Sequence, residues 1–138
     1  CILHKEQIMY DGSQKHAMAK KEWMRIGASR DENLLMFNVD SVQNELLKNR
    51  FDQLKLNPRI IMRSSQLYTT LKFIDNGSCG CFLFSDMLPH FKQYKGIPLE
   101  PPIDVNIGIV WKKGNFLSHS AQLFIDFAMQ YCSENITT

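Results

Sequence analysis

The stretch LLMFNVDSVQNELLKNRFDQLKLNPRIIMR, residues 34–63, decides the fold. Leu34-Leu35-Met36-Phe37 is a continuous apolar run, the mark of a strand buried on both faces of a parallel sheet. Asn38-Val39-Asp40-Ser41 then opens a helix, because Asp40 or Ser41 can accept bonds from the free N–H groups of the first turn. Gln43 stands three after Asp40, the spacing of a capping box. Leu47, Phe51 and Leu54 follow at helical spacing, flanked by Leu46 and by Lys48, Arg50 and Asp52. Asn57-Pro58 disfavours further helix, so the helix is predicted to end near Leu56. Arg59 to Arg63, with Ile60, Ile61 and Met62, reads as the next strand. A strand–helix–strand unit requires two parallel strands with the helix crossing one face.

On the C-terminal side, Ser64-Ser65 is expected to cap a helix carrying Leu67, Tyr68, Leu71 and Ile74. Asp75-Asn76-Gly77 stops it, with a left-handed residue expected at Asn76 or Gly77. Cys81-Phe82-Leu83-Phe84 reads as another buried strand, and Ser85 or Asp86 as the cap of a short helix reaching Phe91. Residues 96–102 hold three of the five prolines, so this segment is stiff, cannot be a central strand and reads as a crossover between two lobes. Val105, Ile107, Ile109 and Trp111 then alternate with Asn106, Gly108 and Val110, the period of a strand. Lys112-Lys113-Gly114-Asn115 turns the chain. Ser118 caps a last helix with Leu123, Phe124, Phe127, Ala128 and Tyr131 on one face.

On the N-terminal side, Gln7 to Tyr10 reads as a short strand closed by the turn cluster Asp11-Gly12-Ser13. His16 to Ala28 is irregular, anchored by Trp23, Met24 and Ile26, and His4 and His16 read as surface or hinge residues. The whole order predicts an α/β fold with a mostly parallel sheet and helices on its faces.

Composition agrees with one globular domain. The chain has 138 residues, 44% apolar and 22% charged, which excludes disorder and collagen-like structure. Sixteen basic against fourteen acidic residues leave a net charge of +2, without the clustered basic excess of a protein held to DNA by phosphate contacts. No apolar run approaches the roughly 20 residues of a membrane span. Cys1, Cys79, Cys81 and Cys132 are too few for a disulfide scaffold and, with seven methionines, point to a reducing cytoplasm. The chain starts at Cys1 rather than Met and reads as a segment of a longer protein.

In open parallel sheets ligands bind beyond the carboxyl ends of the strands. Three such ends are legible: Asn38, Val39, Asp40 and Ser41; Ser64 and Ser65; and Ser85. Each begins a helix, whose free N–H groups suit a carboxylate or phosphate. Capping alone is the plainer reading of any one of them, and convergence of all three on one cleft is the functional one. Backbone amides at Ser41 and Val42 are the expected carboxylate donors, while Asp40 opposes a strongly anionic ligand unless it turns away. Cys79-Gly80-Cys81 with His90 makes a single tight pair, short of the four ligands zinc wants, so no metal is expected. Cys79 with His90 or His119 lacks a third orienting group, so a cysteine nucleophile is not favoured. Gly77-Ser78-Cys79-Gly80 lacks the Lys-Ser/Thr of a phosphate loop and precedes a strand, so it reads as a helix stop.

The residues resemble the effector-binding domain of LysR-type transcriptional regulators. Gln7 to Tyr10 followed by residues 14–19 is similar to the family's strand and "His-Pro-Leu-Ala", with the Pro missing here. Residues 32–37 resemble its next strand, and FDQLKLNPRII (51–61) its "Phe…Gly…Pro-x-Ile" segment. Residues 74–84 resemble "Val-x-x-Gly-x-Gly-Ile-x-x-Leu-Pro", with the two glycines one residue further apart and Phe84 in place of Pro. IGIVWKKGNFLSHSAQLFIDF (107–127) is the most specific match, to the closing strand, loop and "Ala-x-x-Phe-Ile-Asp-Phe" helix.

The resemblance implies a type 2 periplasmic-binding-protein-like fold of two α/β lobes, with a small effector held between them. Residues 1–10 would be a hinge strand and the end of lobe I. Residues 11–98 would be lobe II, and residues 99–138 the return crossover with the C-terminal strand and helix of an incomplete lobe I. It implies no enzymatic activity and no cofactor, a homo-oligomer in which the helix 42–56 adds to an antiparallel dimer contact, and DNA binding through an N-terminal winged helix outside this chain. With strands of lobe I missing, Phe124, Phe127 and Tyr131 are expected to face water and to need a partner. The alternatives are a solute-binding protein of the same two-lobed type, serving transport, and an enzyme using a Cys or carboxylate on this scaffold.

Overall fold

The computed structural model describes residues 1–135. Its strands are β1 (Ile2–Ser13), β2 (Asn33–Met36), β3 (Arg59–Arg63), β4 (Gly80–Phe84), β5 (Tyr94–Pro98) and β6 (Asp104–Gly108). Its helices are α1 (Val42–Gln53), α2 (Leu67–Ile74) and α3 (His119–Asn135). Contacts divide the chain into two compact units, Gln7–Ile103 and a smaller one formed by Cys1–Glu6 with the chain from Asp104 onward.

In the larger unit the strands lie in the order β3-β2-β4-β1-β5. β2 runs parallel to both β3 and β4, as the strand–helix–strand pattern requires. β1 runs antiparallel to β4 and to β5, so the sheet is mixed rather than mostly parallel. The difference has a local cause. β1 does not turn at Asp11-Gly12-Ser13 but continues through Ser13, because Tyr10, Asp11 and Gly12 pair with Phe82, Cys81 and Gly80 on one side and with β5 on the other. Hydrogen bonds on both sides outweigh the turn preference of Asp-Gly-Ser. β5, which holds Pro98, lies at the end of the strand order, where a missing N–H costs least.

Helices close both faces. On one, Phe82 packs edge-on against Tyr10 and Phe51, at ring separations of 5.5 and 6.2 Å, which ties β4 to β1 and to α1. Gly80 lies directly beside the Tyr10 ring, where a Cβ would stand 2.9 Å from Cε2, so no larger residue fits. On the other face Leu35, Cys81 and Leu83 meet Leu71 and Ile74 of α2. Gly77 ends the turn after α2 with a φ of +78° and donates its N–H to the Ile74 carbonyl at 3.0 Å, the expected left-handed stop.

The segment between β1 and β2 forms two short 3₁₀ turns, Ala17–Lys20 and Ile26–Ser29. Met24 and Ile26 are buried, but Trp23 is 55% exposed and does not join the core. His16 is buried, contrary to the surface reading: its Nδ1 accepts the Met18 N–H at 3.1 Å and its Nε2 lies 3.1 Å from Glu32 Oε2. A histidine that caps a buried turn is as useful inside as out, and periodicity does not register it. α1 ends at Gln53, one turn short of Leu56, and Lys55 takes a positive φ of 53°. Arg50, in its last turn, donates to the carbonyls of Pro101 and Pro102 at 3.1 Å each and pins the Pro-rich segment.

In the smaller unit β6 pairs with β1. It spans only Asp104–Gly108, shorter than the alternation to Trp111 suggested. The Ile109 N–H donates to the Cys1 carbonyl, and the amino group of Cys1 donates to the Ile109 carbonyl. Ser118 Oγ accepts the Ala121 N–H at 3.2 Å and starts α3, as expected. Of α3 only Ile125 is buried, and Phe124 and Phe127 are 62% and 64% exposed. That is the water-facing stripe predicted from the sequence.

Candidate functional site

Because β3, β2 and β4 are adjacent and parallel, their carboxyl ends leave the sheet along a single edge. Residues 37–41, 64–66 and 85 follow those ends in turn. The Ser64 N–H donates to the Met36 carbonyl at 3.1 Å, tying the β3 tip to the β2 tip. Ser85 Oγ accepts the Gln7 N–H at 3.3 Å, tying the β4 tip to β1.

Ser41 is the cap of α1. Its hydroxyl accepts the Asn44 N–H at 3.1 Å and donates to the Asn38 carbonyl at 2.9 Å, and its own N–H donates to Asn38 as well. The amide expected to face a ligand at Ser41 is therefore spent locally. The N–H groups of Val42 and Gln43 have no partner within the helix, and they sit at the positive end of its dipole. Ser41→Ala is expected to cost about 1 kcal/mol of stability, read as a lower urea midpoint at unchanged m-value. A neutral result would show that backbone and solvent alone satisfy this turn.

Ser64 turns inward on its own segment, accepting the Gln66 N–H at 3.1 Å. The residue preceding α2 is Gln66, without a side-chain cap, because the chain needs two further residues to leave β3 before it can wind. Ser65 is exposed, and Asn38, Val39 and Asp40 project from the β2 tip, with Val39 71% exposed. Of the seven residues singled out in the sequence, Val39 alone lines the cavity of about 340 Å³ between α1 and β3.

Sequence reasoning passed over Asn44 and Arg63. Arg63, the last residue of β3, donates through Nη1 to the Phe37 carbonyl at 3.0 Å and to Asn44 Oδ1 at 2.7 Å. Gln43 is buried, and its Nε2 donates to the Phe82 carbonyl. Arg63 could have been flagged as a cation ending a strand whose neighbours end in polar loops. Asn44 carries no such signal, because its role depends on where β3 lies.

Below this edge the chemistry is quiet. Cys79 and Cys81 are buried free thiols, and burial pushes both up from the ordinary thiol range, which removes the thiolate a nucleophile needs. Cys79 Sγ donates to the Phe73 carbonyl at 3.4 Å. The Tyr94 hydroxyl donates to Asp75 and lies 3.1 Å from the Leu71 carbonyl. Burial and the Asp75 carboxylate raise Tyr94 to about 12, while the Tyr94 bond lowers Asp75. Among the described residues no helix is long and apolar enough to cross a membrane.

A mixed sheet with three parallel strand tips on one edge and an antiparallel strand feeding a second unit is the build of a lobe from a two-lobed ligand-binding domain. The chain belongs to the LysR substrate binding domain family, whose model matches residues 3–133. A search of curated proteins finds no match. Solved structures share the fold. The effector binding domain of QuiR in complex with shikimate superposes on 99% of this chain and 66% of its own, with a TM-score of 0.81 and 19% identity. The CcmR regulatory domain of Synechocystis PCC6803 in complex with 2-PG gives 100% and 68%, 0.81 and 17%. HinK, a LysR family transcriptional regulator from Pseudomonas aeruginosa, gives 94% and 46%, 0.77 and 18%. The chain thus spans about two thirds of the first two structures and under half of the third.

Proposed function

We propose that this chain is the effector-sensing part of a LysR-type transcription regulator, cytoplasmic and without catalytic activity of its own. It senses a small metabolite at the edge where β2, β3 and β4 end. The observation that supports this most directly is the shared edge itself: β2, β3 and β4 are adjacent and parallel, and their ends lead respectively to the N-terminus of α1, with the Val42 and Gln43 amides unclaimed, to the exposed Ser65 and to the half-buried Ser85. Donors so placed suit a carboxylate, and shikimate, bound by the QuiR domain, is one. Asn38, Val39, Asp40, Ser41 and Ser64 complete the proposed contacts. The exposed Asp40 favours ligands that also bring a hydroxyl or amine to it.

Regulation follows from linkage. An effector that prefers one arrangement of the domain raises the population of that arrangement, by as much as its affinities for the two states differ. The regulator would act as a homo-oligomer, with α1 in the contact between subunits, and would reach DNA through a winged helix outside this chain. The apolar stripe of α3 would pack against protein beyond this chain. A solute-binding role in transport is less well supported, since the family model that matches belongs to regulators.

A thermal-shift screen of small carboxylates and amino acids tests the site. A raised melting temperature is expected for at least one carboxylate, reduced in Ser65→Ala and Ser85→Ala. A shift that survives both changes would move the site away from this edge.

A further inference from the structure

The cavity between α1, the turn after it and β3 measures about 340 Å³. Its apolar wall is Met36, Phe51, Leu56 and Ile60, with Met36 and Phe51 themselves buried. An engineered apolar cavity of about 150 Å³ admits benzene, so this one has room for a ring with a substituent or for a medium-length chain. Its polar lining is Asn44, Lys48 and Asp52 of α1, Asn57 of the turn after it, and Arg63 of β3. Arg63 is held in place through Nη1 by the Phe37 carbonyl and Asn44 Oδ1, and among the described residues it forms no ion pair with a carboxylate. Its remaining N–H donors form the planar fork that matches a carboxylate. The one acid in the lining, Asp52, is paired with Lys48 at 2.6 Å.

We propose that this cavity is a second ligand site, separate from the strand-edge site, which takes a small carboxylic acid with an apolar body, aromatic or aliphatic. The body lies on Phe51 and Ile60, and the carboxylate meets the free side of the Arg63 guanidinium. Val39 borders both sites, so a ligand here touches the loop that leads into α1. The inference does not depend on the strand edge binding anything.

Benzoate and hexanoate are the probes, titrated calorimetrically into the chain, with benzyl alcohol as the uncharged counterpart of benzoate. Benzoate or hexanoate is expected to bind and benzyl alcohol to bind roughly tenfold more weakly or not at all, the usual scale for a lost charge-assisted hydrogen bond. Arg63→Gln should weaken benzoate by a similar factor, and Lys72→Gln, which removes an exposed cation on α2 outside both sites, should leave it unchanged. Asp52→Asn removes the one acid of the lining and frees Lys48, which also lines the cavity, so it should tighten benzoate several-fold, a gain that damage to the fold does not mimic. Equal binding of benzyl alcohol and benzoate would overturn the proposal. So would an unchanged affinity in Arg63→Gln, no tightening in Asp52→Asn, or no binding of either acid.

Discussion

Replacing Phe82 by Ala is expected to remove about 3–5 kcal/mol of stability, the range for truncating a buried aromatic ring. Phe82 is only 1% exposed and sits where three elements meet. Its ring contacts Tyr10 of β1 and Phe51 of α1, and its own carbonyl receives the Gln43 side chain from the first turn of α1. Truncation therefore leaves a void bounded by two large rings that rigid strands and a capped helix prevent from closing. Against a total stability of about 5–15 kcal/mol for a domain of this size, the loss takes roughly a fifth or more. Urea unfolding followed by circular dichroism should show a much lower midpoint at nearly constant slope. A loss under about 1.5 kcal/mol would mean that α1 is not seated on β4 as described. Phe82→Leu should cost much less, since volume is largely kept.

The second large effect concerns Asp11. It is fully buried on β1 between Cys81 of β4 and Gly96 of β5, and neither carboxyl oxygen has a hydrogen-bond partner. Burial raises its pKa well above the ordinary carboxylate value; the nearby Leu83 N–H pulls the other way without closing a hydrogen bond, and burial wins. The folded state therefore holds a proton on Asp11 at pH values where the unfolded chain has released it. The group's contribution is complete below its unfolded pKa of about 4 and is lost as pH rises toward its folded pKa. The slope is about 1.4 kcal/mol per pH unit while only the folded state is protonated. Asp75 shifts downward, so its own contribution is lost only on acidification and does not disturb this window. Melts between about pH 5 and about pH 7 should show the native chain losing stability. Asp11→Asn, similar in volume and unable to ionise, should flatten that slope. A slope unchanged in the variant would place the proton elsewhere.

The elements legible in advance were those governed by neighbours in sequence. The run Leu34–Phe37, the Ser41 cap, the stop at Asn57-Pro58 and the glycine stop at Gly77 each follow from local backbone preferences, and each appears within a few residues of its expected place. The α3 stripe was readable for the same reason, as periodicity reports which side of a helix is apolar whether or not anything covers it. The resemblance to the LysR domain rested on particular segments, residues 107–127 above all, and the family match bears it out.

What misled were residues whose partners are distant in the chain. Asp11-Gly12-Ser13 has turn composition yet lies in the middle of the sheet, since β4 and β5 supply hydrogen bonds on both sides. His16 is buried because Glu32 and the Met18 amide meet it there.

From sequence alone came the α/β class and the three strand ends, written in short-range periodicity and capping, and the family, through the resemblance of particular segments such as residues 107–127. The direction of β1 and the cavity under Arg63 were settled only by the folded chain. Both depend on which strands become neighbours, and that choice is made by burial summed over the whole sheet rather than by any stretch of residues.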